Sequence, residues 1–435
     1  MKKQKVTTGW KATVAIAMAN YIEAGAIIAA ASSLTLWQTY LGIDSVGVGL
    51  LSALSANALG AAIGALLGGY ITDKFGRKIV FNYDLLVYMF GILLIMLSVS
   101  FPMLLIGTII TGVAVGVAVP VSWTYIAEEA PSKQRAARVG AAQLAWSIGP
   151  MITFFLAVLA EPLGLFGSRL IFFHLLIVAF ITWYLRRGLP ESKIWSDDNE
   201  KKKQESKDQK LLQSSLKDLF SLKVNRQAIF LLIGIYLFWN LTAGAMGYFM
   251  PYIYENVGGL TNGQANLLQA FLWMFTVLTT FFGFMKLADK ISQRFLFGLG
   301  ATMGIVAWFI LTFLPMNWVS LVLFVVVWGS AAGIGAQAFY ALWTSELFIT
   351  RYRATAQGFM YFIVRSGIAL WSFVLPIIMD TLSFTVAGIV MIGFLIIHMI
   401  IGVALTPKTR GKTLEQIEEE RYGNRSNRIS SVFNL

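Results

Sequence analysis

The chain has 435 residues; 57% are hydrophobic and 13% charged, with 34 Lys and Arg against 22 Asp and Glu for a formal net charge of +12. The charged share is about half that of a soluble domain, which excludes a disordered chain, a small disulfide scaffold and an ordinary soluble enzyme. Cys is absent and His occurs only as His174 and His398, so the sequence implies no thiolate or His-based metal site and no cofactor.

A helix crossing a bilayer needs roughly 20 apolar residues. Runs of that kind lie at 12–36, 46–71, 79–100, 103–125, 139–160, 170–184, 229–252, 265–285, 296–314, 319–345, 357–379 and 385–405. They predict an all-α membrane protein of twelve spans. The first run carries Glu23 and lacks a small-residue cleavage pattern, so it reads as a span rather than a removed leader. One long polar stretch, 190–226, divides the spans six and six. It holds a charge run from Asp197 to Lys203 and weakly amphipathic spacing over 211–222, which predicts a solvated linker with a surface helix. The expected units are a first bundle, 1–189, this linker, a second bundle, 227–406, and a tail, 407–435.

Basic residues gather on one side of these spans. Lys2, Lys3, Lys5, Lys74, Arg77, Lys78, Lys133, Arg135, Arg138, Lys286, Lys290, Arg294, Arg351, Arg353, the linker and the tail from Lys408 share that side. Arg169 is nearly alone on the other. Positive charge collects on cytoplasmic loops. Both termini are therefore expected to be cytoplasmic, and the net charge is a topology signal rather than a nucleic-acid surface.

The two halves repeat. Glu128 and Arg135 follow the fourth span, Glu346 and Arg353 follow the tenth, and each pair of equivalents is 218 positions apart. Asp73-Lys74 follows the second span and Asp289-Lys290 the eighth, 216 positions apart. Parallel repeats of this kind build the two halves of major facilitator transporters. Gly69-Tyr70-Ile71-Thr72-Asp73-Lys74-Phe75-Gly76-Arg77-Lys78 resembles the signature of the major facilitator superfamily, G-x-x-x-D-[RK]-x-G-[RK]-[RK]. Glu128…Pro131…Arg135, Pro190-Glu191-Ser192, Glu346…Arg353 and Pro407-Lys408-Thr409-Arg410-Gly411-Lys412-Thr413-Leu414 resemble its sugar porter and metabolite:proton symporter branch, most nearly the bacterial inositol or polyol transporters. The resemblance implies twelve helices in two six-helix bundles and a cytoplasmic gate built from Gly69, Asp73, Gly76, Arg77, Lys78, Glu128, Arg135, Asp289, Glu346 and Arg353. It implies a non-enzymatic, monomeric, multi-pass protein of a bacterial cell membrane that works by alternating access.

Two ionisable residues lie deep in apolar runs. A charge at the bilayer centre costs about 2.5–3.5 kcal/mol on insertion scales, and acids there default to function. Glu23 is accordingly a candidate proton acceptor. Arg365, well inside the eleventh span, resembles an Arg of the metabolite:proton symporters. Thr108 stands where the branch usually carries a fourth-span Arg, which leaves Glu23 either uncoupled or paired elsewhere, with Arg365 as the candidate partner. Asp84 is expected to pair with Arg77 or Lys78, and His174 and His398 to be core histidines.

Gln143 matches the fifth-span Gln that binds sugar in sugar porters. Asn20, Trp146, Asn240, Thr242, Gln337, Tyr340 and Trp343 are further candidates for a solute site. Amides serve hydroxyls as donor and acceptor, and aromatic faces pack on sugar C–H surface. Gly60, Gly64 and Gly68, with Gly112 and Gly116, recur every four residues and predict close helix seams. The expected activity is import of an inositol-like polyol or monosaccharide by proton symport. Carboxylated metabolites as cargo, facilitative uniport and a transporter-like nutrient sensor are the alternatives.

Overall fold

The computed structural model describes residues 9–43, 47, 50–51, 53–205 and 216–423. Lys2, Lys3 and Lys5, the predicted start of the second span at Val46, the first half of the predicted surface helix and the tail beyond Gly423 lie outside the described residues. Among the described residues there is no strand. The first half comprises α1 (Trp10–Leu41), α2 (Leu59–Phe75), α3 (Arg77–Met96), α4 (Phe101–Glu129), α5 (Arg135–Ala160) and α6 (Gly164–Arg186). The linker holds α7 (Lys193–Glu205) and α8 (Leu216–Ser221). The second half comprises α9 (Lys223–Asn256), α10 (Asn262–Thr279), α11 (Gln293–Phe313), α12 (Trp318–Gly333), α13 (Ala336–Glu346), α14 (Thr350–Thr381) and α15 (Phe384–Ala404), and α16 (Leu414–Tyr422) follows.

Among the described residues nine stretches are long and apolar enough to cross a membrane, α5 and α6 counting as one. The two long helices outside that set are α2, at 17 residues, and α14, the least apolar of them. Large apolar side chains such as Phe90, Phe166, Phe230, Phe295 and Ile400 stand exposed on the outside of the bundle. In water that would be a liability; in hydrocarbon it is the required surface, over helices that bond their own backbone groups.

Two spans predicted as continuous are interrupted. The second breaks into turns over 54–58 before α2 begins. The tenth breaks at Ile334–Gly335, between α12 and α13. The eighth ends in a π turn, Thr280–Met285. Irregular backbone at membrane depth survives only where protein or a cavity lines it, and these breaks face the middle of the molecule. Asn57, in the first of them, gives its carbonyl to Arg365 at 3.2 Å.

Helices α1–α6 pack mainly on one another, as do α9–α15, and the two groups meet along α2 against α14 and α5 against α10. Spans two and four approach along the predicted glycine rows, with Gly60 against Gly112 and Gly116 against Ala61. Between the halves, a Cβ on Gly69 would lie 2.5 Å from the Ala354 carbonyl oxygen. Gly69 is thus a point of backbone contact between the bundles, and Gly358 meets Ala65 and Gly69 from the other side.

Candidate functional site

A narrow cavity lies between the halves. Its walls include Asn57, Gln143, Trp146, Trp239, Asn240, Trp273, Trp328 and Arg365. It leaves about 40 Å³ for water-molecule centres, room for roughly three waters. Two polar atoms in this lining have no partner among the described residues, the Gln143 Oε1 acceptor and the Arg365 Nε donor. Both residues are buried. Buried polar atoms without partners are costly, so a lining that offers one of each suits a hydroxyl, which donates and accepts.

Glu23 sits behind this wall, fully buried. Its Oε1 forms an ion pair with Arg365 and accepts from the Tyr361 hydroxyl. Its Oε2 accepts from the Trp146 indole N–H at 3.0 Å. Arg365 also donates to Asn57 Oδ1 at 3.1 Å and lies 4.8 Å from the Tyr361 ring centroid. The expected Glu23–Arg365 pair is therefore present, and it joins α1 of one half to α14 of the other. Tyr361 stands one helical turn before Arg365, a spacing that puts both on one face.

Aromatic rings close the cavity toward one end. Tyr236 stacks on Tyr340 with centroids 3.9 Å apart, and Trp123 meets Tyr340 and Tyr361 edge-on. Beyond this floor, Thr124 donates to Gln357 across the halves at 2.7 Å.

At that same end lie the charged residues expected to form a gate, with the start of α1 and the C-terminal α16. Glu128 accepts from Arg77 at 2.9 Å, from Arg353 of the other half at 2.8 Å and from Ser192 at 2.6 Å. The repeat-related pair runs the other way, from Arg135 to Glu346 at 3.1 Å. Asp73 accepts from the Thr355 amide of α14 at 2.7 Å. Asp289 accepts from the Ala136 and Ala137 amides at the start of α5 at 3.4 and 3.1 Å. Each half thus sets a carboxylate on backbone amides of the other, and for Asp289 these lie in the first turn of α5, where dipole and free N–H groups favour negative charge. Burial pushes the Asp73 carboxyl up to about 6, with Arg77 pulling it down, and burial likewise raises Asp289 against the pull of the two amides.

The local chain explains these placements. Gly76 has φ +96°, open only to glycine at low cost, and turns α2 into α3. Glu191 then caps α3 from the linker side, accepting from the Arg77 and Lys78 amides at 2.9 and 3.0 Å. The Lys412 carbonyl accepts from Arg135 at 3.1 Å, so the segment after the last span also touches the gate.

Several expected site residues lie elsewhere. Asn20 is engaged by the Trp123 indole at 2.9 Å, and Thr242 donates to the Met391 carbonyl at 3.2 Å. Gln337, Tyr340 and Trp343 fall on α13, past the break in span ten, where Tyr340 is part of the floor and Trp343 donates to Gln293 at 2.9 Å. None of these five is in the cavity wall. Asp84 does not meet Arg77 or Lys78: two turns of α3 intervene, about 10 Å, and it pairs instead with Arg186 of α6 at 3.3 Å. His398 is a core histidine bonded to the Ile235 carbonyl at 2.7 Å, whereas His174, bonded to the Tyr21 hydroxyl at 2.7 Å, is only half-buried. Trp239, Trp273, Trp328 and Tyr361 were not singled out by the sequence; only Tyr361 carried a signal, its one-turn spacing from Arg365.

The family model described as Major Facilitator Superfamily matches residues 13–372. The chain belongs to that superfamily; it is a multi-pass membrane transporter, not an enzyme. The minor myo-inositol transporter IolF of Bacillus subtilis (strain 168) is 47% identical over 421 residues, 96% of this chain and 95% of the relative. The glucose transporter GlcP of Staphylococcus epidermidis is 26% identical over 399 residues, 84% and 87% of the two chains. Among solved structures, the proton:xylose symporter XylE bound to 6-bromo-6-deoxy-D-glucose matches with a TM-score of 0.80 at 17% identity, over 94% of this chain and 98% of that one.

Proposed function

We propose that this transporter imports an inositol-like polyol or a related monosaccharide by proton symport, with alternating access of the two bundles, 1–189 and 227–406. The gate end, and with it both termini, faces the cytoplasm. The observation that carries the reading is the cavity wall, an unpartnered acceptor on Gln143 and an unpartnered donor on Arg365 among tryptophan rings. Hydroxyl pairs and C–H faces of a polyol ring answer both features. The similarity to the Bacillus subtilis myo-inositol transporter supports the same cargo. Glu23 is the proton acceptor and Arg365 its counter-charge. In this structure Glu23 pairs with Arg365, the only cation among the described residues of the cavity wall.

Alternating access then follows from the gate. In this structure the bundles are joined at the gate end, so the cavity is sealed from that side. Opening there must break the Glu128–Arg353 and Arg135–Glu346 pairs together. The test is uptake into proteoliposomes from a panel of inositols, hexoses and organic acids, with and without an imposed pH gradient. Gradient-driven accumulation of an inositol, lost in Glu23→Gln while exchange at equal pH persists, is the expected result. Preference for organic acids, or accumulation indifferent to the gradient, overturns the cargo or the coupling respectively.

A further inference from the structure

We infer that Trp146 couples solute binding to the ionisation of Glu23, acting as a positioning residue between the two sites. This rests on the proton-symport reading above. The two ends of the Trp146 side chain face different things. Its indole N–H donates to Glu23 Oε2 at 3.0 Å. Its ring forms part of the cavity wall and meets Trp273 of the other half edge-on, centroids 5.2 Å apart.

The partners of Glu23 divide cleanly between its oxygens. Oε1 is served by the opposite half, through Arg365 and Tyr361 of α14. Among the described residues Oε2 has one donor, Trp146. Tyr236 of α9 lies within electrostatic range of both Glu23 and Arg365 but is not bonded to either oxygen. No titratable group of α5 reaches Glu23 among the described residues; α5 contributes the indole alone.

The cavity is too narrow for a six-carbon ring as it stands, with about 40 Å³ for water centres. A solute entering it must move a wall, and the Trp146–Trp273 contact is where α5 of one half meets α10 of the other. Rotating the Trp146 ring to pack against a solute turns its N–H away from Oε2. The carboxylate then loses a charge-assisted hydrogen bond, while the neutral acid loses much less. Solute binding thereby favours the protonated form, and by reciprocity protonation of Glu23 favours solute binding. One side chain serving two clients, its N–H the carboxylate and its ring the solute, is a physical link between ion and cargo that needs no movement of the backbone.

The experiment is calorimetric binding of myo-inositol to the purified full chain at pH 6 and pH 8. In the wild type, affinity is expected to be greater at pH 6 by about tenfold, within the usual range of coupling between sites. Trp146→Phe keeps the ring and loses the N–H. Whatever affinity it retains, its ratio between pH 6 and pH 8 is expected to fall from about tenfold to near one. Trp146→Tyr, which retains an aromatic donor, recovers part of the ratio and covers the case in which the Phe variant folds poorly. A full pH ratio in Trp146→Phe overturns the role of Trp146 and leaves symport intact. A wild type with no pH ratio overturns the symport reading itself, and this inference with it.

Discussion

Glu128 of α4 and Arg353 of α14 meet at 2.8 Å across the two halves, and their repeat equivalents, Glu346 and Arg135, meet at 3.1 Å with the charges exchanged. The proposed gate is therefore a reciprocal pair of bonds: each half contributes one acid and one base. Neither half closes the gate alone, and a change in one pair is felt against an intact twin.

Charge reversal tests this. Arg135→Glu places two buried carboxylates face to face, and loss of a partner from a buried pair costs about 3–5 kcal/mol. That variant is expected to populate a gate-open state, and adding Glu346→Arg restores closure. The measurement is the spin-label distance between Cys substitutions at Lys74 of α2 and Lys408 just past α15, both exposed. The absence of native cysteine keeps the labelling site-specific.

Acid should hold the gate shut. Asp73 has its carboxyl raised to about 6 in the closed arrangement, against about 3.9 for a solvated Asp. The closed form thus binds the proton more tightly. Its advantage from this group is full below about pH 4 and is lost as pH rises through 6. The same spin-label pair should report more closed population at pH 5 than at pH 7.5. Asp73→Asn should weaken that dependence; an unchanged slope would sink the assignment.

Bulk at Gly358 should have the opposite effect. Its Cβ would press into the backbone of Ala65, where no flexible side chain can give way. Gly358→Val is expected to part α2 from α14, at a cost of about 1–3 kcal/mol for overpacking. Reduced gradient-driven accumulation with retained expression, and a lengthened Lys74–Lys408 distance, are the readouts.

Cavity and floor should separate kinetically. Gln143→Leu and Asn240→Leu each remove a polar group from the wall, and one lost hydrogen bond is worth roughly 1 kcal/mol, or about fivefold in KM for myo-inositol. Tyr340→Phe should leave KM within about twofold, because its hydroxyl faces no solute and has no partner among the described residues. A large KM effect from Tyr340→Phe would place the solute on the gate side of the floor.

The sequence was most informative where charge is scarce. In a chain with so few ionisable groups, Glu23 and Arg365 had almost no other partners to choose, and electrostatic economy brings them together. The repeated Glu and Arg after spans four and ten were equally legible, because their 218-residue offset is preserved and the structure pairs them across the halves. Direction was not legible. Asp84 has basic neighbours in sequence, yet the helix carries it away from them toward Arg186. In a helix apolar on all sides, periodicity does not say which face is the cavity, so Trp239, Trp273 and Trp328 were indistinguishable from packing residues. The breaks at 54–58 and at Ile334–Gly335 carried only weak signals: neither contains Pro, and residues such as Ser55 with Asn57 in one, and Gly333 with Gly335 in the other, also occur inside unbroken spans of this chain.

The break at 54–58 makes the second span a jointed rod rather than a rigid post. Its lower arm, α2, lies along α14, and its joint is held by Arg365 of that same helix through the Asn57 carbonyl. If the halves part as proposed, Arg365 would pull on the first half at an elbow already bent. Part of the stroke would then be built into a single limb that straightens, rather than into two stiff blocks tilting.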